Sequence, residues 1–298
     1  MRCAVLFAAL GTLLVGCRQG QPPTAQIDPD LARFVPTDTL VLMETRFDSL
    51  RSTAVYRKYL GAQTLPQLDE FARGTGIDPR KDISELLYCS DGKRGVLLGR
   101  GQFNPPDAEA KLAAKHLPLA AYKGYRLMGD ERNAVVFFSS KIALAGSTPV
   151  LRGILDRAGH GGDPPPWLSA LVGTIPASSQ IWAAFGGRGL ALAFPDQGNL
   201  GNLNRIARSV ETGVVYADLR QGVELAADGT CSTEADARQI HDALKGLIGM
   251  GRLTSPGNRP EMLRLYDSFQ VEQNQRALHI RANIPLDLVD PFFKMFGK

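Results

Sequence analysis

The chain has 298 residues, 44% of them hydrophobic, with 34 Lys+Arg against 30 Asp+Glu, and its sequence pI is about 8.9. That apolar share supports a folded core, and the length is enough for two domains of ordinary size. The absence of any Lys/Arg run longer than two excludes the clustered basic face of a nucleic-acid binder.

Met1 and Arg2 open the chain and are followed by the apolar run Ala4 to Val15, broken only by Gly11 and Thr12. A bilayer-spanning helix needs about 20 apolar residues. This run is shorter and meets Arg18 at once, so it reads as a signal peptide, residues 1–16, that is removed on export.

Leu14-Val15-Gly16-Cys17 resembles the lipobox of bacterial lipoproteins. The resemblance implies cleavage before Cys17, lipidation of its sulfur and three acyl chains. Each buried CH₂ contributes about 0.8 kcal/mol, so two or more chains make a stable anchor. Arg18, where an aspartate would signal inner-membrane retention, implies an outer-membrane lipoprotein that faces the periplasm. Cleavage takes one Arg and no acid from the 34 basic and 30 acidic residues, leaving a nearly neutral chain.

Residues 17–30 include Pro22, Pro23 and Pro29 and read as a flexible tether, long enough to hold the body on the order of 20 Å from the membrane. Two modules are then expected, 31–157 and 167–298. Between them lies the Gly/Pro-rich linker 158–166, where three consecutive prolines exclude helix and central strand.

In the first module, Thr39 to Glu44 is strand-like, and Asp48 or Ser49 caps a helix reaching about Leu60. A short helix is expected at Pro66 to Arg73. Leu86 to Cys89 and Gly95 to Gln102 form a hairpin across Ser90-Asp91-Gly92-Lys93. Asn104-Pro105-Pro106 starts a helix over Asp107 to Leu117; strands Tyr122–Met128, Ala134–Phe138 and Lys141–Ala145 follow, then helix Pro149–Asp156.

The second module is read as strand Gln180–Phe185, a helix near Leu203–Ser209, hairpin Val214–Ala227 and helix Thr233–Ile248. In that last helix Ala237, Ile240, Leu244, Leu247 and Ile248 share one face, and Thr233 with Asp236 forms a capping box. Strands Phe269–Gln273 and Ala277–Ala282 and helix Pro285–Met295 complete it.

The modules resemble each other at an ungapped shift of 127, which lays Gly95-Val96 over Gly222-Val223 and Asp91 over Asp218; a shift of 136 lays Ile142-Ala143-Leu144 over Leu278-His279-Ile280. Meandering strands with single helices indicate an α+β class: two weakly similar modules of antiparallel sheet, with helices packed on one face. The layout, whose first strand is introduced by Pro36-Thr37-Asp38-Thr39, is similar to uncharacterised envelope lipoproteins built from two such repeats. That resemblance implies architecture and no activity.

No constellation carries recognisable chemistry, so catalytic, metal and cofactor residues are each read as none. His116, His160, His241 and His279 stand singly, outside any metal-ligand spacing. No G-x-S-x-G elbow occurs, and Ser90, Ser139 and Ser140 fit turns. Asp78/Asp82, Asp107/Glu109 and Glu234/Asp236 stand at helix beginnings, where carboxylates meet free N–H groups. Gly186-Gly187-Arg188-Gly189 reads as a strand-to-loop connection. Cys89 and Cys231 would be the thiols of the mature chain in a compartment that permits disulfides, and a bridge between them is left open. Phe292, Phe293 and Phe296 make an apolar end that must dock, on the body before a partner. The expected function is a membrane-anchored binding or structural module of the envelope, partnered by the membrane through Cys17 and by an envelope protein or other component. The alternative is an exported hydrolase whose site is assembled from residues distant in sequence.

Overall fold

The computed structural model describes residues 22–59, 61, 66–115, 117–157, 163–187 and 208–296. Cys17, His116, His160 and the glycine-rich segment after Gly187 lie outside these residues, as does most of the helix expected near Leu203–Ser209.

Twelve strands form one antiparallel sheet, ordered β11-β12-β10-β9-β8-β1-β2-β3-β7-β6-β5-β4. They are β1 Val41–Arg46, β2 Ile83–Ser90, β3 Gly95–Gly101, β4 Leu119–Tyr122, β5 Tyr125–Gly129, β6 Asn133–Phe137, β7 Ile142–Ser147, β8 Ile181–Gly186, β9 Val210–Asp218, β10 Gly222–Cys231, β11 Phe269–Asn274 and β12 Ala277–Pro285. The sheets of the two modules therefore merge, through the pairing of β1 with β8.

That seam carries a local two-fold. Leu42 lies opposite Ala184 and Glu44 opposite Trp182, so residue n of β1 corresponds to n+140 of β8, the offset that also relates Pro36 to Pro176. Moving outward, Leu42 pairs with Cys89 and Trp182 with Tyr216, an offset of 127. Across the hairpin turn, Cys89 pairs with Val96 and Tyr216 with Ala226, an offset of 130. Hairpin followed by helix is thus repeated, but the second turn is longer and the ungapped alignment fails beyond it. Side chains alternate between faces along a strand, so an odd slip moves a residue to the other face. Val96 is buried with Leu87 and Leu98, whereas Val223 is buried on the opposite face beside Ile284 and Leu288.

The helices are α1 Pro29–Ala32, α2 Phe47–Leu50, α3 Ala54–Tyr59, α4 Pro66–Thr75, α5 Pro105–Ala114, α6 Thr148–Arg157, α7 Pro166–Val172, α8 Glu234–Thr254, α9 Pro260–Asp267 and α10 Val289–Phe296, the last preceded by a 3₁₀ turn at Leu286–Leu288. The α+β class and the antiparallel sheet are as expected, with one difference in layering. Over the first module helices cover both faces, because its strands are apolar on both: Leu87, Cys89, Val96, Leu98 and Leu144 meet Leu31, Leu151, Ile154 and Leu168 of α1, α6 and α7, while Leu86 and Ala143 meet Phe47 and Ala108 of α2 and α5. Complete burial of each such leucine stabilises by about 1.5–3 kcal/mol. Over the second module, among the described elements, Ala237, Ile240 and Leu244 of α8, Val55 and Tyr56 of α3, Leu265 of α9 and Val289 of α10 pack on one face.

Local chemistry explains the remaining departures. The helix expected to run on to Leu60 is split, because the Thr53 hydroxyl donates to the Leu50 carbonyl at 2.8 Å and accepts the Tyr56 N–H at 3.1 Å, starting α3 anew. The single strand expected over Tyr122–Met128 is a hairpin: Lys123 and Gly124 take φ of 49° and 85°, the left-handed pair a two-residue turn needs. The sequence reading places no helix at α1, α7 or α9, three short elements each opened by proline. Of the expected tether, Pro23 to Ala25 is docked: Thr24 bridges Pro176, Ala25 donates to the Ile175 carbonyl at 2.7 Å, and Ala177 donates to Pro23 at 3.0 Å. The folded body thus begins before Leu31.

Candidate functional site

The sheet face that carries Leu86, Leu97, Gly99, Val135, Ala143 and Ala145 is roofed by α2, α4, α5 and the segment between α4 and β2. The roof does not close. Between it and the strands lies a cavity of about 510 Å³, lined also by Phe47, Thr75, Ile77, Pro79, Ile83, Phe103 and Leu112. This is within the usual size of small-molecule pockets, about 300–1,000 Å³. Among the described lining residues Thr75 is the one with a polar side chain.

The opening has a sequence cause. Small residues, Gly99, Ala143 and Ala145, floor it where larger ones would fill it; a Cβ built on Gly99 would be no nearer than 3.6 Å to any neighbour. The roof is fixed at Gly76, which ends α4 with φ 74° and donates to the Ala72 carbonyl at 2.8 Å. A Cβ there would stand 2.8 Å from the Asp107 carboxylate, so glycine is required both by the left-handed backbone and by the close approach of α5. Asp107 is in turn paired with Lys111 at 2.8 Å, placing a charged pair beside the roof.

On the opposite face, at the seam of the two modules, sits a buried acid. Glu44 is 1% exposed; among the described residues neither of its carboxyl oxygens has a well-formed hydrogen bond, nor does the Trp182 indole N–H next to it. The nearest cation is the Arg46 guanidinium at 3.9 Å. Burial, then the neighbouring Glu85, pushes the Glu44 carboxyl up to about 9, so it is neutral at pH 7. Glu85 itself is held by Arg100 at 2.7 Å, and Arg100 also reaches Asp28 at 2.9 Å, tying the start of α1 to β2 and β3.

The residues singled out in sequence fall mostly to structural roles. His241 of α8 contacts Asp242 at 2.8 Å on the surface. Asp82 accepts the Asp78 N–H at 2.6 Å, and Arg80, bonded to Asp78, holds that carboxyl below the usual range. Thr233 accepts the Asp236 N–H at 3.0 Å, the expected cap. Cys89 and Cys231 are free and buried in different clusters, so no bridge joins them; burial pushes both thiols up. Phe292 and Phe293 dock on the body, the latter 5.2 Å from the Tyr59 ring. His279 is the exception: its Nδ1 lies 2.7 Å from Asp228, which also accepts from Arg281 at 2.7 Å. No hydroxyl or thiol is hydrogen-bonded to this histidine among the described residues. Among the same residues no group of three or more His, Cys, Asp or Glu side chains is arranged to hold a metal ion, and no helix is long and apolar enough to cross a membrane.

Neither the apolar cavity nor the His279 cluster was legible in sequence, because each is built from strands paired across long separations. The fold and the cavity define the class: an α+β protein with one continuous antiparallel sheet and an apolar pocket under its helices. Two solved structures, crystal forms I and III of TP0453, are similar to it, with TM-scores of 0.50 and 0.52 and 11% identity in each case. They cover 92% and 86% of this chain and 100% and 93% of theirs. At that identity the likeness is one of fold. No protein-family model and no curated protein matches the chain.

Proposed function

We propose that the protein is an exported lipoprotein, anchored by acyl chains on Cys17 in the outer membrane and facing the periplasm, that works as a binding module of the envelope. Its ligand is apolar, with the dimensions of a single acyl chain or a comparable hydrocarbon body. The observation that carries this reading is the cavity of about 510 Å³ with its nearly uniform apolar lining. Apolar surface of that kind gains about 25 cal/mol for each Å² removed from water, and an apolar ligand gains the same on its own side.

The test is fluorescence titration with cis-parinaric acid against the wild type and against Gly99→Leu and Ala143→Phe, which extend side chains into the cavity. The expected outcome is saturable binding that falls at least tenfold in both variants while their melting temperatures hold. Wild-type affinity for the probe that is equal in both folded variants would place the ligand elsewhere and end this reading.

A further inference from the structure

The sheet face over the second module that the described helices leave open carries, at positions corresponding to the first module's core, a different and polar set of residues. By the two-fold correspondence established at β8 and β9, Val96 of β3 matches Ala226 of β10, and Leu98 matches Asp228. Through the next pairing, Leu98 with Leu144 and Asp228 with His279, the fully buried Leu144 matches His279, while Gly146 matches Arg281. A leucine pair at the centre of one core has become an Asp–His pair with an arginine beside it on the other.

Nothing in the fold demands this exchange. Among the described elements, α7 reaches across this face as far as β9, where Val214 joins the first module's core, and α3, α8, α9 and α10 pack on the reverse side. A pocket of about 380 Å³ lies on the open face, between the turn that precedes β8 and the ends of β9, β10, β11 and β12. Tyr216 stands in it as a half-buried aromatic, with Arg281, Gln270 and Asn283 around it. Arg281 is held in place by three acceptors, Asp228 at 2.7 Å, the Ile280 carbonyl at 2.8 Å and the Ala227 carbonyl at 3.2 Å.

Two features identify the ligand chemistry. The lining charges cancel in sign: Asp218 and Glu224 against Arg220 and Arg281, with Asp218 and Arg220 joined at 2.6 Å. A balanced site of this kind does not concentrate an ion of either sign. What remains is a set of planar groups, two carboxylates, two amides and two guanidiniums, with donors and acceptors at the spacing of adjacent hydroxyls, beside an aromatic ring whose face takes C–H groups. In addition, Ser179 lines the pocket, and its buried hydroxyl has no hydrogen-bond partner among the described residues, a condition that costs about 1–3 kcal/mol unless some group meets it.

We propose that this face is a saccharide-binding site for an uncharged, polyhydroxylated chain, with Tyr216 as the stacking platform and Arg281, Gln270 and Asn283 as the hydrogen-bonding groups. It is separate from the apolar cavity, which lies under helices of the first module on the reverse face of the sheet, and it does not depend on the reading given to that cavity.

The experiment is a glycan array of neutral, carboxylated and sulfated oligosaccharides probed with the wild-type protein, followed by calorimetric titration of the best neutral tetrasaccharide. Variants are Tyr216→Ala and, because removing a half-buried ring alone could loosen the sheet, the surface change Asn283→Ala; far-ultraviolet circular dichroism and melting temperature report folding. The expected result is binding to neutral glycans that weakens at least tenfold in Tyr216→Ala and at least threefold in folded Asn283→Ala, with Gly99→Leu unchanged. Binding confined to sulfated or carboxylated glycans, no glycan bound, or a neutral-glycan affinity that folded Asn283→Ala and Tyr216→Ala leave intact would each overturn the proposal.

Discussion

Replacing Glu44 by Gln tests how much the buried acid at the module seam governs stability. The folded protein holds a proton on Glu44 up to about pH 9, whereas the ordinary value for the group is 4.5. The native state therefore binds more protons than the unfolded chain throughout that interval, and stability must fall as pH rises. The contribution is complete below about pH 4.5 and is lost progressively towards pH 9. Each pH unit inside the window is worth up to about 1.4 kcal/mol, so three units, from pH 5.5 to 8.5, amount to about 4 kcal/mol. That is a large part of the roughly 5–15 kcal/mol by which domains are stable. Glu44→Gln keeps the shape and the neutral state and has no proton to lose. Urea unfolding of both proteins at pH 5.5, 7.0 and 8.5 should show wild type falling relative to the variant at each step. A wild-type-minus-variant difference that stays constant within about 0.5 kcal/mol across this range, well below the 4 kcal/mol expected from linkage, would refute the argument.

Four further outcomes are expected. Cys17→Ser should leave the protein soluble or unprocessed after fractionation and a high-salt wash; equal recovery with membranes would remove the lipoprotein reading. Leu98→Ala, in the fully buried centre of the first module, should cost about 2–5 kcal/mol in chemical unfolding, while Asp228→Ala at the matching open position should cost less than about 1 kcal/mol; similar costs would contradict the assigned correspondence. Gly76→Ala should destabilise by more than about 1 kcal/mol, since it meets both a positive φ and the Asp107 carboxylate; a neutral change in melting temperature would show that the roof of the cavity has slack. His241→Ala should keep ligand binding and folding, and a folded but inactive protein would revive the enzyme alternative.

What the sequence alone determines here is local. Period-two apolar patterns mark β2 and β3, the Thr233–Asp236 cap and an apolar stripe mark α8, and prolines at helix starts mark α5. Each depends on neighbours a few residues away, as does the resemblance of Leu14 to Cys17 to a lipobox. Boundaries failed where a side chain outside the hydrophobic pattern decided the backbone, as Thr53 does between α2 and α3 and Lys123-Gly124 does in the β4–β5 turn. The repeat was legible as an order of elements but not as a register, because three extra residues in the second hairpin turn leave composition unchanged while moving Val223 to the opposite face from Val96. Only tertiary structure joins β1 to β8 across the modules and brings Glu44 against Glu85 and Trp182. It alone assembles Leu86, Gly99, Ala143 and Phe47 around one cavity and lays Asp228, His279 and Arg281 side by side on the uncovered face. These groups are set by strand pairing between segments up to about 140 residues apart in sequence, and pairing at such distance depends on which faces find partners to bury them, a property of the whole sheet and of no segment within it.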